Sequence, residues 1–332
     1  MAGAVVYLIT SHRNPEQVYR LARTLRRGSP RAPIVIHHDR SRTELDPHGL
    51  GALGNVHLLP FSVPVEWGGM SIVEMNLRSF RWILRHVDFE WLVLLSGQDY
   101  PIKPLGEVEA AMRGSDRDGF LEKPAVVTNE IPPGDRRYIR YSFTFRYFYR
   151  YFTLPRWPGY SRLPARVRRS LSGALWRVLP RFQQLLFLHP MPAGANARLG
   201  FRRFRTPFGE MFQCYKASPW FTLNRRAVAR LVASGWRERE LWRYYRRTAI
   251  PDESYFQTIL FNDPSFSFHD DNMVFSKWNP GSGSPEVLIG ADVPEAIASG
   301  KFFARKFDVD VDASALDELD RYLFSATDGS SG

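Results

Sequence analysis

Residues 71–97 read SIVEMNLRSFRWILRHVDFEWLVLLSG, and this stretch decides the class of fold. Its first part, 71–86, sets Ile72, Met75, Leu77, Phe80 and Ile83 at helical spacing on one side. Its last part, EWLVLLSG (90–97), is an apolar run with little alternation, as a strand buried on both faces requires. A helix that feeds such a strand is the repeating unit of a parallel α/β sheet with right-handed crossovers.

The same alternation extends in both directions. Upstream lie the short apolar runs VVYLIT (5–10), PIVIHHD (33–39) and NVHLLP (55–60), each expected as a strand. Between the first two, PEQVYRLARTLRR (15–27) places Val18, Leu21, Ala22 and Leu25 on one helical face, with Asn14 and Pro15 as start signals. Downstream, GFLE (119–122) is expected as a short fifth strand. NRRAVARLVASGW (224–236) is expected as a helix capped by Asn224, IPDESYFQTILFND (250–263) as a further helix, and NMVFSKW (272–278) as a strand. The last residues, ATDGSSG (326–332), read as a floppy tail.

Composition narrows the function classes. The 332 residues are 44% hydrophobic and 24% charged, a globular balance that excludes disorder, collagen and coiled coil as the main state. Cys214 is the single cysteine, which excludes a disulfide framework and any cysteine-based zinc site. No apolar run reaches the ~20 residues of a membrane span, and the first residues lack the basic and apolar regions of a signal peptide. The expectation is a soluble cytoplasmic protein.

Charge is the odd feature, and it is local. The chain carries a formal +11, which alone suggests nucleic acid or anionic lipid as a partner. Residues 135–205 hold sixteen Arg, no Lys and one acid, Asp135, so this stretch is +15 and the remainder −4. The stretch also holds sixteen aromatics, as in YIRYSFTFRYFYRYF (138–152). It interrupts the strand–helix alternation. RVRRSLSGALWRVLPRFQQLLFLHP (166–190) has the pattern of a basic amphipathic helix kinked at Pro180. The plainer reading of 134–205 is a lid or subdomain whose rings pack and whose guanidinium groups face water.

In an open α/β sheet, ligands bind at the carboxyl ends of the strands. Three polar clusters sit there: His12 and Arg13 after the first strand, His38 and Asp39 after the second, and Asp99 after the fourth. Each also suits a solvated turn. Neither G-x-x-x-x-G-K-[ST] nor G-x-G-x-x-G occurs, which argues against a P-loop kinase or a dehydrogenase. No H-x-x-x-H pair supports a metal site. Asp116 with Asp118, and the Asp308, Asp310, Asp312 alternation, suit solvated turns better than a hard cation. Asp252 and Glu253 follow Pro251 at a helix start, where an acid is either a favourable first-turn residue or a general base at the mouth of a cleft. Arg305 and Lys306 lie between aromatics in FFARKFD (302–308). They are either an exposed pair or two cations aimed at a diphosphate.

Taken in order, these pieces resemble the core-2/I-branching family of glycosyltransferases, which includes peptide O-xylosyltransferases. The resemblance rests on VYLITSHRNPEQVYRL, VIHHDRS, VEWGGMSIVEMNL, LLSGQDYPIK, SPWFTLNRRAV, PDESYFQTIL and FFARKFD, which cover 5–125 and roughly 209–324. Residues 134–205 have no detailed counterpart. The resemblance implies a GT-A-like fold in one domain over 1–325, with 134–205 as a basic insertion. It implies an inverting, metal-independent transfer of N-acetylglucosamine or xylose from a UDP-sugar, with no other cofactor.

Site roles follow from the resemblance alone. Glu253 matches the general base. Asp39 and His12 match positions near the nucleotide, and Asp99 one beside the donor sugar. Arg305 and Lys306 match the cations that replace a metal at the diphosphate. Trp278 matches an aromatic near the acceptor glycan. Trp67 and Ser71 match a block packed near the donor, with Trp67 expected to be structural. Two features depart from the pattern. Ala217-Ser218-Pro219 stands where Gly-Ser is expected before Trp220. The loop GSGSP (281–285) lacks an Arg, leaving Lys277 as its substitute. For 135–205 two partners remain in view. One is an anionic membrane surface, compatible with catalysis at the inner face. The other is nucleic acid, as a binding module in place of an enzyme.

Overall fold

The computed structural model describes residues 5–130, 143–153, 185–189, 198–279 and 282–325. Its centre is a seven-stranded, mostly parallel sheet flanked by helices, as the alternation of runs implies. The first half supplies β1 (Val5–Ser11), α1 (Pro15–Gly28), β2 (Ile34–His38), α2 (Pro47–Gly51), β3 (Val56–Leu58), α3 (Ser71–His86), β4 (Trp91–Ser96), β5 (Asp99–Pro101), α4 (Leu105–Arg113), β6 (Gly119–Phe120) and β7 (Ala125–Val127). Then come α5 (Phe143–Tyr147), β8 (Tyr149–Thr153), β9 (Leu186–His189), β10 (Arg198–Arg202), β11 (Cys214–Lys216), β12 (Thr222–Asn224), α6 (Arg225–Val232) and α7 (Trp236–Tyr245). The last are α8 (Tyr255–Phe261), β13 (Phe268–His269), β14 (Val274–Phe275), α9 (Val293–Ala298), β15 (Phe303–Arg305) and α10 (Ser314–Phe324).

The sheet order is β13-β6-β12-β4-β1-β2-β3. The run β4-β1-β2-β3 is parallel throughout, and β12 enters antiparallel between β4 and β6. Alternation of side chains across the pleat then assigns each residue to a layer. Val5, Tyr7 and Ile9 of β1, with Trp91, Val93 and Leu95 of β4, face a core closed by α1, α4 and α10. Val6 and Leu8, with Leu92 and Leu94, face a second core closed by α3, α6 and α8. This two-sided burial is why the strand runs lack polar alternation.

Local sequence sets the element ends. Asn224 caps α6, its side-chain oxygen accepting the Ala227 N–H at 2.9 Å. Asn14 precedes α1 as expected, but its amide turns away and donates to Asp308 Oδ1 at 3.0 Å. The stretch 250–263 is not one helix. A 3-10 turn spans Pro251–Glu253, Ser254 breaks it at φ −140°, and α8 starts at Tyr255. The break has a cause: Ser254 Oγ donates to the Tyr215 carbonyl at 2.7 Å and meets Tyr245 Oη at 2.7 Å, which fixes this residue outside the helical path. The strand expected over 272–278 is confined to Val274–Phe275.

The described part of the basic segment is packed, not pendant. Strands β8, β10 and β9 form an antiparallel sheet, so the amphipathic helix expected over 166–190 is wrong at 186–189, where β9 pairs with β10. Residues 166–184 and 190, including the kink at Pro180, lie outside the described residues, as does the tail 326–332. Tyr147, Tyr149, Tyr151 and Phe187 enter the core under α6 and α8. The Tyr151 N–H donates to the Arg247 carbonyl at 2.8 Å, and the Ala249 N–H to the Arg146 carbonyl at 3.0 Å. Among the described residues, no helix is long and apolar enough to cross a membrane.

Phe80 is fully buried on α3, with its ring 5.8 Å from that of Phe256 and 6.3 Å from that of Phe221. Phe80→Ala should therefore lower the unfolding free energy by about 3–5 kcal/mol in urea titration. A loss below about 1 kcal/mol would mean the three-ring contact is not a keystone of this layer.

Candidate functional site

The carboxyl ends of β1, β2 and β4 open into a cleft of about 450 Å³. Its walls come from 10–13 after β1, Asp39 and Arg42 after β2, Trp67 and the start of α3, Ser96–Gln98 after β4, and Pro219, Trp220, Asp252 and Arg305. Of the residues singled out in the sequence, His12, Arg13, Asp39, Trp67, Asp252 and Arg305 line this cleft together.

Asp39 is buried and its carboxylate is engaged. One oxygen accepts the Ser41 N–H at 3.0 Å and the Ser41 hydroxyl at 2.6 Å, and the other accepts the Val65 N–H at 2.8 Å. Burial alone would raise its pKa, but these bonds and Arg42 hold it below the ordinary value. It thus pins the loop before Trp67 to the end of β2. His37 does likewise, accepting the Val63 N–H at 3.0 Å through a ring that burial keeps neutral, with its pKa down at about 4. His12 is exposed at the rim, and its pKa is lowered by partial desolvation and then by Arg13.

Asp99 and Arg305 form one unit. They are opposite residues of β5 and β15, and Arg305 Nε lies 3.1 Å from Asp99 Oδ1. Asp99 also accepts the Ser96 N–H at 2.6 Å and the Ser96 hydroxyl at 2.9 Å. Burial pushes the Asp99 carboxyl up and Arg305 opposes the shift. The Arg305 guanidinium rests 4.1 Å above the Trp220 ring and faces the cleft. Asp99 itself lies beneath the cleft wall, not in it.

Lys306 is one step away. Its ammonium donates to Ser284 Oγ, and its pKa is lowered by burial and then by Arg305 and Arg13. Lys277 is unavailable as a diphosphate ligand, because it is held between Asp292 and Glu295 at 2.6 Å each. Trp278 is 57% exposed, with its indole N–H on Ser276 Oγ at 3.0 Å, and lies outside the cleft lining.

Trp67 and Ser71 exchange the expected emphasis. Trp67 is 48% exposed and forms part of the wall, so packing does not explain it. Ser71 is the structural member: its hydroxyl accepts the Glu66 N–H at 2.9 Å. The adjacent Gly68 adopts φ +66°, which favours glycine. Its carbonyl accepts both the Ile250 N–H at 3.0 Å and the buried Arg198 guanidinium at 2.9 Å. The Trp-Gly-Gly block therefore holds the turn that carries the two acids.

Those acids occupy different environments. Glu253 Oε2 pairs with Arg146 at 2.7 Å and lies 3.9 Å from Lys216 Nζ, while Oε1 carries no hydrogen bond among the described residues. Glu253 is half-buried and does not line the cleft. Its neighbour Asp252 does, with Oδ1 buried and unpaired among the described residues. Burial, then the charge of Glu253, pushes the Asp252 pKa up to about 7. Sequence reasoning missed Arg42, Trp220 and the engagement of Asp252. Arg42 stands three residues past Asp39, and no local pattern marks it.

Members of the acidic runs weighed as metal sites have other partners. Asp118 pairs with Arg226 at 2.8 Å and accepts the Ser267 N–H, Asp308 pairs with Arg13, and Asp312 accepts the Gly290 and Ser314 N–H groups. Among the described residues, no three His, Cys, Asp or Glu side chains converge as metal ligands.

The raised Asp252 pKa has a consequence for stability. The folded state holds this proton from about pH 4 to about pH 7, where the unfolded chain has lost it, so the contribution falls as pH rises through that window. Asp252→Asn should therefore gain stability relative to the parent between pH 5 and pH 7, with the difference levelling above it. Urea titrations across that range measure the trend, and a pH-independent difference would refute the burial of a protonated acid.

The family model that matches this chain is Branch, the Core-2/I-Branching enzyme, over residues 5–145 and 197–297. The matched spans contain most of the cleft and omit 146–196, while Arg305 and Lys306 lie beyond them. Curated relatives are similar at lower identity. Xylosyltransferase 1 of Canis lupus familiaris is 25% identical over 291 residues, covering 82% of this chain and 25% of that protein. Xylosyltransferase 1 of Homo sapiens is 25% identical over 290 residues, covering 81% and 25%. Xylosyltransferase 2 of Rattus norvegicus is 24% identical over 292 residues, covering 82% and 28%. The chain spans about a quarter of the length of these relatives.

Proposed function

The chain belongs to the Core-2/I-Branching enzyme family, and from that premise we propose that it is a glycosyltransferase moving xylose or N-acetylglucosamine from a UDP-sugar to a hydroxyl of a glycan or other envelope acceptor. The observation that carries this reading is the cleft at the carboxyl ends of β1, β2 and β4, where Arg305, held by Asp99 and Trp220, faces Arg13 and Arg42. Such preorganised cations suit a diphosphate. Asp39 and His12 border the end that would take the nucleoside.

The step is a single displacement. The acceptor oxygen attacks C1 from the side opposite UDP, a new C1–O bond forms, and the C1–O bond to the diphosphate breaks with its electron pair leaving on UDP. The acceptor proton passes to Glu253, whose Oε1 is available while Arg146 orients Oε2. Charge grows on the leaving diphosphate as the bond breaks. Fixed guanidinium groups stabilise that state more than the ground state. Arg305 and Lys306 take the part a divalent ion would play, Asp99 positions Arg305, and Trp278 offers an exposed ring to the acceptor glycan. Asp252, whose pKa of about 7 leaves a share of it protonated at neutral pH, suits a hydrogen bond to the donor sugar.

Glu253→Gln should lower turnover by roughly 10²–10⁴-fold, the usual worth of a general base, while thermal stabilisation by UDP is kept. A second assignment stays open to this test because Asp252, and not Glu253, lines the cleft. Full activity in Glu253→Gln with loss in Asp252→Asn would transfer the base to Asp252. A panel of UDP-sugars tested for thermal stabilisation selects the donor.

Metal independence is separately testable. UDP release in the presence of a chelator should match that without it, and Arg305→Ala should weaken both UDP binding and rate. Activity abolished by chelation and restored by an added divalent cation would sink the idea that arginine replaces a metal.

A further inference from the structure

Another cavity lies away from the cleft. It is an open basin of about 690 Å³ beside β8, β10 and the end of α7. Arg150, Arg202, Arg203 and Arg205 line its sheet side, and Arg243, Arg246 and Arg247 its helix side. Among the described residues no carboxylate lines it, and none of these seven guanidinium groups pairs with an acid. Some are fixed by neutral partners. Arg202 Nε donates to Asn129 Oδ1 at 3.3 Å, and Arg203 Nη2 donates to the Tyr244 carbonyl at 3.0 Å while its guanidinium covers the Tyr244 ring at 4.0 Å. Seven like charges gathered without a counter-charge repel one another, and an external anion relieves that cost.

The surface around the basin is aromatic. Alternation along β8 and β10 sends Tyr149 and Tyr151 into the core and leaves Phe152 and Phe201 outward, edge to face at 5.8 Å. Phe204 beside them is 76% exposed. Arg150 and Arg247 both sit over the Phe152 ring, at 5.2 and 5.3 Å. A site for a soluble anion has no use for exposed rings. A bilayer does: phosphates meet the arginines while rings enter the interfacial zone.

The geometry points to a peripheral docking surface for an anionic phospholipid bilayer, with headgroup phosphates in the arginine basin and Phe152, Phe201 and Phe204 in the interface. This goes beyond the catalytic reading and is tested without any sugar nucleotide. It also places the contact on α7 as well as on the basic segment.

The experiment is co-sedimentation of the full chain with phosphatidylcholine vesicles, with and without phosphatidylglycerol. The chain should pellet with the anionic vesicles only, and less as salt shortens the screening length. Replacing Arg243, Arg246 and Arg247 together by Ser should lower the partition coefficient roughly a hundred-fold, at the usual worth of a basic residue near such a surface. All three are exposed, and unchanged thermal unfolding confirms that the fold is kept. Phe201→Ser with Phe204→Ser should weaken vesicle binding and leave retention on a soluble polyphosphate resin unchanged. Equal binding to both vesicle types, parent-like binding by the arginine variant, or binding to polyphosphate or nucleic acid without vesicle binding would each overturn the proposal.

Discussion

The buried contact between Asp99 and Arg305 is the constraint on which the cleft depends. It joins the residue that follows β4 to a strand arriving some two hundred positions later, and their register on β5 and β15 is fixed by backbone pairing. An ion pair taken out of water recovers little of its desolvation cost, so stability is a weak reason for it to exist. Its effect is geometric. Asp99 is held by both the N–H and the hydroxyl of Ser96, so the acid cannot turn, and Arg305 is left with one direction, over Trp220 and toward the cleft. A cation that needs no reorganisation when charge develops on a leaving group is the kind that accelerates a reaction. Around this pair the other walls follow: Gln17 ties α1 to the Gly97 and Phe307 carbonyls at 2.9 and 3.0 Å, closing the first crossover against the last strand.

The parallel half of the sheet was legible because its strands have one physical requirement. β1, β2 and β4 are apolar on both faces, and α1 and α3 show one apolar side, so period and composition agree. Other parts obey partners far away. Nothing local in SYFQTIL marks Ser254 as a break; the break comes from Tyr215 and Tyr245, which approach only in the fold. The strand Leu186–His189 sits in a sequence with helical periodicity, and pairing with β10 overrides it. The short sheet β14-β15-β5 could not be read as a sheet: β14 was expected as a strand, but its pairing through β15 to β5 joins strands of two or three residues that meet only in the fold.

Candidate residues divide along the same line. Strand-end acids and histidines could be found because topology brings the ends of parallel strands together whatever the loops do. What each side chain does there was not legible. Asp99 and Asp39 look alike in sequence, yet one positions an arginine and the other ties down a loop. Asp252 and Glu253 are neighbours, yet one faces the cleft with an unpaired oxygen and the other is held by Arg146. Burial and partners make these differences, and they arise from residues up to about two hundred positions away.

Among the described residues, the arginines of the cleft and of the basin form two populations by the same criterion. In the cleft the arginines are few, and two are tethered: Arg305 by Asp99 and Trp220, Arg13 by Asp308. In the basin they are many, and among the described residues none pairs with an acid. The two regions share one length of chain. α7 and the two residues after it carry three basin arginines and lead into the turn bearing Asp252 and Glu253, and β8 is bonded to that connection through Tyr151 and Arg247. Arg146, which orients Glu253, stands three residues before β8. A surface held at the basin is therefore held at a fixed offset from Glu253, the proposed base, through hydrogen-bonded backbone and not through a linker. That rigidity is what an enzyme acting on an acceptor anchored in that surface would require.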